Sequence, residues 1–421
     1  MILVVVALVW LAGCCHQIYR QALFLQLEEY QVGRYLRWLA GRRSRWLPRR
    51  PLLALLVGSA MMLLLGEAPG AMLPVYLALP VALLANWPRT GAEVKKGFRV
   101  TWRARRLLSV AWVLALLIAS LPVIASGGIA DGPLQPLLWT AAGCLLVLLA
   151  PLLLVSASLL LRPAEALLRQ RFVARARTIL IEAGPTVIGI TGSYGKTSTK
   201  VYLQHILNGH FRVGATPKSY NTLMGICLAL NQDLVEDRSL DYYIVEMGAY
   251  IPGEIAEICD LARPEISIVT AIGPQHLERF GSIENIVSAK YEIISALPAD
   301  GVAVLDRDNP HLREMARRGH PDTVLTASCE EIPADPSPDD PRLVAADIQE
   351  SLDGLRFKVE DRRSGECVEF STSLLGRHNV SNILLAAAVA RNEGMSLRDI
   401  AWRVRSLQPA EARLARERTA A

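Results

Sequence analysis

The chain has 421 residues, a formal net charge of +5 and 52% hydrophobic residues. This length allows two or three domains, and the hydrophobic fraction exceeds that of an average soluble domain, which indicates membrane segments. The seven cysteines include no C-x-x-C pair. Their spacing excludes a zinc ribbon and fits reduced thiols in the cytosol or in a membrane.

Five apolar stretches predict a transmembrane region over residues 1–162. They lie at 1–15, 51–66, 71–86, 107–126 and 136–161. The last two have about 20 residues or more, which is enough to cross a bilayer. The first has no basic segment before it and no small-x-small cleavage site, so we interpret it as an anchor and not as a signal peptide. Residues 51–86 predict a tight membrane hairpin, and a buried hairpin in a soluble core is the alternative.

Basic residues flank these stretches on one side only. They crowd two loops, at Arg20, Arg34, Arg37, Arg42, Arg43, Arg45, Arg49 and Arg50, and at Arg89, Lys95, Lys96, Arg99, Arg103, Arg105 and Arg106. The connections 66–70 and 127–135 contain neither lysine nor arginine. The positive-inside bias then predicts a multi-pass protein of the inner or plasma membrane, with everything after Arg162 in the cytoplasm. Tryptophans among the arginines suit lipid headgroups. RNA binding is the alternative, but we predict no nucleic-acid partner.

The segment GITGSYGKTSTK, residues 189–200, predicts a phosphate-binding loop. A short β-branched strand precedes it and a helix follows, which is the layout that holds a phosphate chain. Backbone N–H groups around Gly192 and Gly195 and the helix N-terminus attract anions. Lys196 can reach the terminal phosphates, and a hydroxyl of Thr197 or Ser198 can bind Mg²⁺. The motif is the short form G-x-x-G-K-T-S, since a strict Walker A motif would have glycine where Ile190 stands. A Gly-rich turn with a surface lysine is the alternative interpretation.

Strands and helices alternate after this loop. We predict strands at 186–190, 242–247, 265–270, 301–305 and 322–326 and helices at 197–208, 252–261, 284–296 and 310–318. Such alternation predicts an α/β domain with a mostly parallel sheet. A Pro/Asp-rich surface loop at 331–345, a hairpin of LRFKVE and ECVEFST, a helix that ends near Gly394 and a short helix at 396–406 complete the prediction.

Three polar residues in this half of the chain are candidates for the functional site. Glu246 ends a buried strand beside the phosphate loop, where a carboxylate can hold Mg²⁺; a surface glutamate that starts a loop is the alternative. His276 and Lys290, taken alone, are typical of an exposed histidine and a solvated helix lysine. Helix periodicity does not single out Lys290.

Together these segments resemble the Mur ligase family of ATP-dependent amide ligases. The matching motifs are TGSYGKTSTK, YNT, IVEMGAYIPGEI, ARPEISIVTAIGPQHLERFGS, SAKYEII, LDRDN and GRHNVSN. They are most similar to the branch that adds D-alanyl-D-alanine to UDP-N-acetylmuramoyl-tripeptide. The basic amphipathic pattern of residues 163–180 predicts a linker helix, at 163–183, that leaves the membrane. The resemblance implies a central ATP-binding domain at 184–414 and a tail at 415–421 where a C-terminal ligase domain would begin.

The resemblance also implies roles for individual residues. Those expected at the nucleotide are Gly192, Ser193, Tyr194, Gly195, Lys196, Thr197, Ser198, Asn379 and Asn382. Those expected at Mg²⁺ are Thr197, Glu246, His276 and Lys290, and Lys290 matches a lysine that the family carries as a carbamate. Lys196, Lys290 and His276 are the expected catalytic residues. Asn221 lies where the family approaches substrate.

The implied reaction joins a muramoyl-peptide-like or other carboxylate to an amino acid or dipeptide through an acyl phosphate, in peptidoglycan precursor synthesis. Two features depart from the family. Membrane segments replace the soluble domain that binds the UDP end, which leaves room for a lipid-linked or polymeric substrate. The C-terminal domain is missing, so we expect a truncated chain or a partner that supplies it. A poly-γ-glutamate-type ligase and a non-catalytic ATP-binding scaffold at the membrane are the alternative functions.

Overall fold

The computed structural model describes residues 2–41, 51–53, 56–57, 60, 80–85, 98–126, 135–217, 220–330 and 341–409. The chain divides into two compact units, Met1–Leu167 and Leu168–Ala421. Most of the predicted hairpin at 51–86, part of the basic loops, most of the Pro/Asp-rich loop and the tail lie outside the described residues.

The described part of the first unit is helical. Its helices are α1 (Ile2–Leu27), α2 (Val32–Ala40), α3 (Trp102–Ser126) and the first part of α4 (Gln135–Ala183). One side of α1 is buried at Val6, Trp10, Cys14 and Ile18, a spacing that keeps four side chains on one helical face. Gly143 on α4 permits this packing, because a Cβ atom there would lie 2.2 Å from the Trp10 ring.

Two of these helices are long and apolar enough to cross a bilayer. The qualifying segments are Trp102–Leu121 in α3 and Leu138–Ala183 in α4. On α4, Leu138, Leu145 and Leu152 recur on one face and are each more than half exposed. A large exposed apolar surface of this kind is unusual on a soluble protein. The two segments overlap the stretches predicted at 107–126 and 136–161.

Two helices extend beyond the predicted segments in this half. The apolar stretch at 1–15 lies in a helix that continues to Leu27, because apolar residues such as Ile18 and Leu25 remain buried beyond residue 15. The expected linker helix at 163–183 is continuous with the helix before it. Pro151 and Pro163 lie inside α4 without ending it.

The second unit is an α/β domain whose elements follow the phosphate loop in alternation. Its strands are β1 (Thr186–Thr191), β2 (Val213–Ala215), β3 (Tyr242–Glu246), β4 (Ile266–Val269), β5 (Val302–Asp306), β6 (Thr323–Ser328), β7 (Leu343–Ser351), β8 (Gly354–Asp361) and β9 (Glu366–Thr372). Its helices are α5 (Lys196–Leu207), α6 (Leu223–Glu236), α7 (Glu254–Ala262), α8 (Leu277–Phe280), α9 (Ile283–Ser295), α10 (Pro310–Ala316), α11 (His378–Asn392) and α12 (Leu397–Val404).

The nine strands form one sheet in the order β2-β3-β1-β4-β5-β6-β7-β8-β9. Pairing is parallel from β2 through β7 and antiparallel for β7–β8 and β8–β9. The strand β1 lies between β3 and β4, where the strand order reverses. Ligands of open α/β sheets bind at the carboxyl ends of strands at such a reversal, and the phosphate loop is located there.

Alternate residues of the inner strands face two separate cores. Ile188 and Ile244 pack with α5, α11 and α12 on one face, whereas Val187 and Val245 pack with α6, α7 and α9 on the other. Successive side chains of a strand point to opposite faces. Because both faces of these strands are buried, their sequences are apolar runs without alternation.

The predicted α/β fold with a mostly parallel sheet is confirmed. The five strands predicted at 186–190, 242–247, 265–270, 301–305 and 322–326 are present with shifted ends, and the hairpin forms β8 and β9. Four elements of this unit were not predicted: β2, α6, α8 and β7. Residues 343–345, which were assigned to the surface loop, belong to β7 and are buried against Val359 and its neighbours on β8.

Candidate functional site

The loop between β1 and α5 requires glycine at two positions. Gly192 and Gly195 have φ angles of +147° and +82°, which residues with a side chain rarely adopt. A Cβ atom at Gly192 would lie 2.0 Å from Thr270 Oγ1, and one at Gly195 would lie 2.4 Å from Asn382 Oδ1. The backbone of this loop is therefore held close to both neighbouring segments.

The segment after β4 holds the loop in place. Ser193 N donates to the Ala271 carbonyl at 2.7 Å, and Ser193 Oγ donates to the Gly273 carbonyl at 3.0 Å. Thr270 Oγ1 lies within hydrogen-bond distance of the carbonyls of Thr191 and Tyr194. These contacts follow from the parallel pairing of β1 with β4, which brings the ends of the two strands together.

The start of α5 presents the groups expected of an anion site. Among the described residues, no side chain makes a capping hydrogen bond at this helix end, so its first N–H groups can bind an anion. Lys196 Nζ donates to the Gly192 carbonyl at 2.6 Å, and the Ser193 carbonyl lies 3.4 Å away. Thr197 is half-buried and Ser198 is buried on the first turn. Tyr194, at the tip of the loop, is exposed.

Glu246 lies beside the loop and is 1% exposed, which excludes the alternative of a surface glutamate. It pairs in register with Ile190 through β1 and β3. Its Oε2 atom lies 3.1 Å from Lys200 Nζ, and its Oε1 atom accepts a hydrogen bond from Asn221 Nδ2 at 3.3 Å. Asn221 is thereby placed against Glu246, at the start of the segment that leads into α6.

Lys290 is 4% exposed on α9, which excludes the interpretation as a solvated lysine. In the part of the chain that the structure describes, Lys290 Nζ has no hydrogen bond or ion pair. Burial, followed by the positive charge of Lys196, lowers the pKa of Lys290 to about 7. Burial of the side chain disfavours the charged ammonium and so shifts the equilibrium towards the neutral amine.

His276 precedes α8 in a left-handed conformation, with φ 57°. Its ring packs edge-on against Tyr250 with centroids 4.8 Å apart. Burial lowers the pKa of His276, and the charges of Arg279, Lys196 and Lys290 lower it further. The structure therefore brings Lys196, His276 and Lys290 within electrostatic range of one another.

The two candidate asparagines on α11 differ in their surroundings. Asn382 Oδ1 accepts a hydrogen bond from Thr199 Oγ1 at 3.2 Å and faces Gly195, so it lies at the phosphate loop. Asn379 Oδ1 accepts from Tyr202 at 2.9 Å, and Asn379 Nδ2 donates to the Leu375 carbonyl at 2.8 Å. Both polar groups of Asn379 are thus engaged within the protein.

The chemistry of these residues fits the binding of a nucleoside triphosphate with Mg²⁺. The glycines, the uncapped helix end and Lys196 suit the phosphate chain, and Glu246 and Thr197 offer oxygen ligands of the kind that Mg²⁺ prefers. Within the described ranges no group of three or more His, Cys, Asp or Glu side chains could hold a metal ion by itself. Mg²⁺ usually keeps several waters and takes its remaining ligands from one or two carboxylates and from substrate phosphates.

Sequence reasoning missed three residues that shape the site. Lys200 was part of the quoted loop motif but received no role, and Thr216 and Thr270 were not considered. Lys200 could have been noticed because it follows Lys196 by one helical turn and shares its face. The two threonines carried no signal, since their role depends on which strands are neighbours.

Comparison with known protein families and sequences shows similarity to Mur ligases. Residues 190–390 match the family described as the Mur ligase middle domain. The UDP-N-acetylmuramoyl-tripeptide--D-alanyl-D-alanine ligase of Mycobacterium leprae is 37% identical over 227 residues, which are 53% of this chain and 43% of that protein. The Bacillus subtilis ligase of the same name is 31% identical over 239 residues, which are 57% of this chain and 48% of that protein.

Solved structures show the same relationship. MurF from Acinetobacter baumannii aligns with a TM-score of 0.53 and 25% identity, over 60% of this chain and 52% of that one. MurF ligase from Thermotoga maritima in complex with ADP aligns with a TM-score of 0.51 and 28% identity, over 57% of this chain and 52% of that one. The chain spans about half the length of the relatives it matches. The similarity includes residues 190–390, which match the Mur ligase middle domain.

Proposed function

We propose that this protein is a membrane-anchored, ATP-dependent amide ligase of the Mur type that acts in peptidoglycan precursor synthesis. The observation that supports this most directly is the phosphate loop, with Lys196 at its end and the buried Glu246 beside it. The named relatives are ligases that join D-alanyl-D-alanine to a UDP-muramoyl-tripeptide. We therefore propose a muramoyl-peptide carboxylate and D-alanyl-D-alanine or a similar amine as substrates.

In the proposed reaction, an oxygen of the substrate carboxylate attacks the γ-phosphorus of ATP, and the bond to the β,γ-bridging oxygen breaks to release ADP. The amine nitrogen then attacks the acyl carbon, loses a proton, and the C–O bond to phosphate breaks. Lys196 and the first N–H groups of α5 would hold the phosphates. Thr197 and Glu246 would hold Mg²⁺, which would supply positive charge to stabilise the transferring phosphoryl group.

We propose further that Lys290 carries a carbamate. Its amine is buried, lacks a hydrogen-bond partner in the described part of the chain, and has a pKa of about 7. A neutral amine nitrogen can attack CO₂, form an N–C bond and release a proton. The product has a carboxylate in place of an ammonium, which could bind Mg²⁺ near His276 and would remove the repulsion between Lys290 and Lys196.

The membrane anchor is proposed from the first unit. The segments Trp102–Leu121 and Leu138–Ala183 have the length and composition of membrane spans, and the leucine face of α4 is exposed. Hydrocarbon is the solvent in which such a face is stable. The distribution of basic loops in the sequence supports a cytoplasmic location for the ligase domain, where ATP is available.

The test is a ligation assay on the full chain purified in detergent. UDP-N-acetylmuramoyl-tripeptide, D-alanyl-D-alanine and Mg·ATP are expected to give ADP, phosphate and a new amide, detected by mass spectrometry. Lys196→Met should lower the rate by about 10²-fold or more, because it removes a positive charge that stabilises the transferring phosphoryl group. Lys358→Met is the matched control, since Lys358 forms an exposed ion pair with Asp347.

Two further readouts complete this test. Lys290→Ala should be inactive and should regain activity with short carboxylic acids, and full activity of this variant without rescue would contradict the carbamate. ATP binding without ADP formation in the presence of both substrates would contradict the ligase and would favour a non-catalytic scaffold.

A further inference from the structure

The side chain of Lys200 contacts different groups of the site from those that Lys196 contacts. The two lysines lie one turn apart on α5. Lys196 Nζ contacts the carbonyls of the phosphate loop, whereas Lys200 Nζ donates to the Thr216 carbonyl at 2.7 Å and lies 3.1 Å from Glu246 Oε2. Lys196 therefore contacts the phosphate loop, whereas Lys200 contacts the carboxylate of Glu246.

The ion pair between Lys200 and Glu246 is almost completely removed from water. The two side chains are 4% and 1% exposed. A buried carboxylate is strongly destabilising unless an opposite charge and hydrogen bonds compensate it. The amide of Asn221 supplies a hydrogen bond to the other carboxylate oxygen, but only Lys200 is seen to pair with it as a positive charge among the described residues.

The surrounding contacts fix the geometry of this pair. Glu246 N donates to Thr216 Oγ1 at 3.2 Å, and the Thr216 carbonyl accepts from Lys200. Thr216 therefore joins the backbone of β3 to the ammonium of Lys200. The carboxylate is held on the loop side of β3 by contacts to α5 and to Asn221 together.

We propose that Lys200 is a positioning residue that acts as the resident counter-ion of Glu246 and weakens divalent-cation binding to the nucleotide-free protein. It keeps the carboxylate oriented before a metal ion arrives, and its own positive charge opposes a lone cation. The cation then binds well only together with the negative phosphates of the nucleotide. This inference rests on the proposed function, in which Glu246 is a ligand of Mg²⁺.

The experiment measures Mn²⁺ binding to the full chain in detergent by electron paramagnetic resonance, without nucleotide. Lys200→Met is expected to bind Mn²⁺ about tenfold more tightly or better than the unmodified protein, because repulsion between two cations is lost. Lys200→Arg keeps the charge and should behave like the unmodified protein, as should the surface control Lys358→Met. Unchanged or weaker Mn²⁺ binding by Lys200→Met would overturn the inference.

Thermal unfolding gives a second readout that does not depend on activity. Lys200→Met should unfold at a lower temperature in EDTA and recover in Mg²⁺, since the cation replaces the missing counter-ion. If Lys200→Met does not fold, the double variant Lys200→Met/Glu246→Gln removes both charges and is expected to fold. Failure of the double variant as well would overturn the inference, because Lys200 would then be needed for something other than Glu246.

The Glu246→Gln variant separates this inference from the proposed function. If this variant binds Mn·ATP as tightly as the unmodified protein, Glu246 is not a metal ligand and the proposed site itself fails. If Glu246→Gln weakens Mn·ATP binding while Lys200→Met leaves Mn²⁺ binding unchanged, only the counter-ion role of Lys200 fails.

Discussion

Gly195 shows how closely single residues are constrained at the phosphate loop. Its φ angle of +82° and the approach of Asn382 Oδ1 both exclude a side chain. We expect Gly195→Ala to weaken ATP binding by about tenfold or more, because the loop must move away from α11 to admit the methyl group. Titration of the purified protein with a fluorescent ATP analogue measures this loss.

Gly365 provides the matched control for this variant. It has a similar φ angle of +71° in the turn between β8 and β9, but no atom lies within 4 Å of the position of its Cβ. Gly365→Ala should therefore lower stability by about 1 kcal/mol through backbone strain and leave ATP binding unchanged. Equal loss of ATP binding in both variants would show that the contact with Asn382 is unimportant.

The residues that could be identified from sequence are those whose surroundings are local. Gly192, Gly195 and Lys196 belong to one continuous motif between a strand and a helix, so their place at the loop followed from neighbours in the chain. The burial of Lys290 could not be read from its helix, because it depends on how α9 packs beneath the sheet. The pairing of Lys200 with Glu246 joins residues 46 positions apart and needed the order of the strands.

At the scale of elements, Asp361 joins the antiparallel part of the sheet to α11. It is completely buried at the end of β8 and accepts hydrogen bonds from Arg342 and Arg391, each at 2.9 Å. Removing one member of a buried charged network costs about 3–5 kcal/mol. Asp361→Asn should therefore lower the thermal unfolding temperature by about 5 °C or more, measured in detergent by intrinsic fluorescence.

The pH dependence of this effect has a definite sign. Burial alone would raise the pKa of Asp361, but hydrogen bonds from Arg391 and Ser364 and the charge of Arg342 outweigh it, and the pKa is lowered. The network therefore stabilises the fold above the unfolded-state pKa of about 3.9 and loses this stabilisation as the pH falls through the folded-state pKa. The difference between Asp361→Asn and the unmodified protein should shrink below about pH 4.

The exposed pair of Asp347 and Lys358 is the control for this element. Both side chains are more than half exposed, so Asp347→Asn should change stability by less than about 1 kcal/mol at any pH. A loss as large as that of Asp361→Asn would mean that burial does not account for the strength of the network.

The elements differ in how far their sequences determined them. The strands β1, β3 and β4 are largely apolar runs with glycine or proline within two residues of at least one end, and both of their faces are buried, so they were predicted. The strand β2 has only three residues, Val213–Ala215, and is defined by its pairing with β3. Helix α6 contains Gly225 and Asn231, which weaken its helical pattern, but Thr222 caps its first turn and its apolar face packs on the sheet.

At the scale of the whole molecule, the two units carry different physical signals. The second unit buries alternate faces of its strands beneath helices, as a water-soluble α/β domain does. The described helices of the first unit expose leucine on long apolar segments, which is unusual for a protein surface in water. The overall composition of the chain averages these two patterns. The positions of the apolar stretches along the sequence were needed to distinguish the two units.

The cysteines already present in the sequence allow the predicted topology to be tested without introducing new ones. Cys367 is exposed on β9, whereas Cys14, Cys144, Cys227 and Cys259 are buried. If the second unit lies in the cytoplasm, a membrane-impermeant maleimide should label Cys367 only after the cells are permeabilised, because the bilayer separates reagent and thiol. Cys367→Ser should remove this labelling, which distinguishes it from reaction at the partly exposed Cys15 and Cys329. Labelling of Cys367 in intact cells would place the phosphate loop outside, away from ATP, and would contradict both the topology and the proposed ligase.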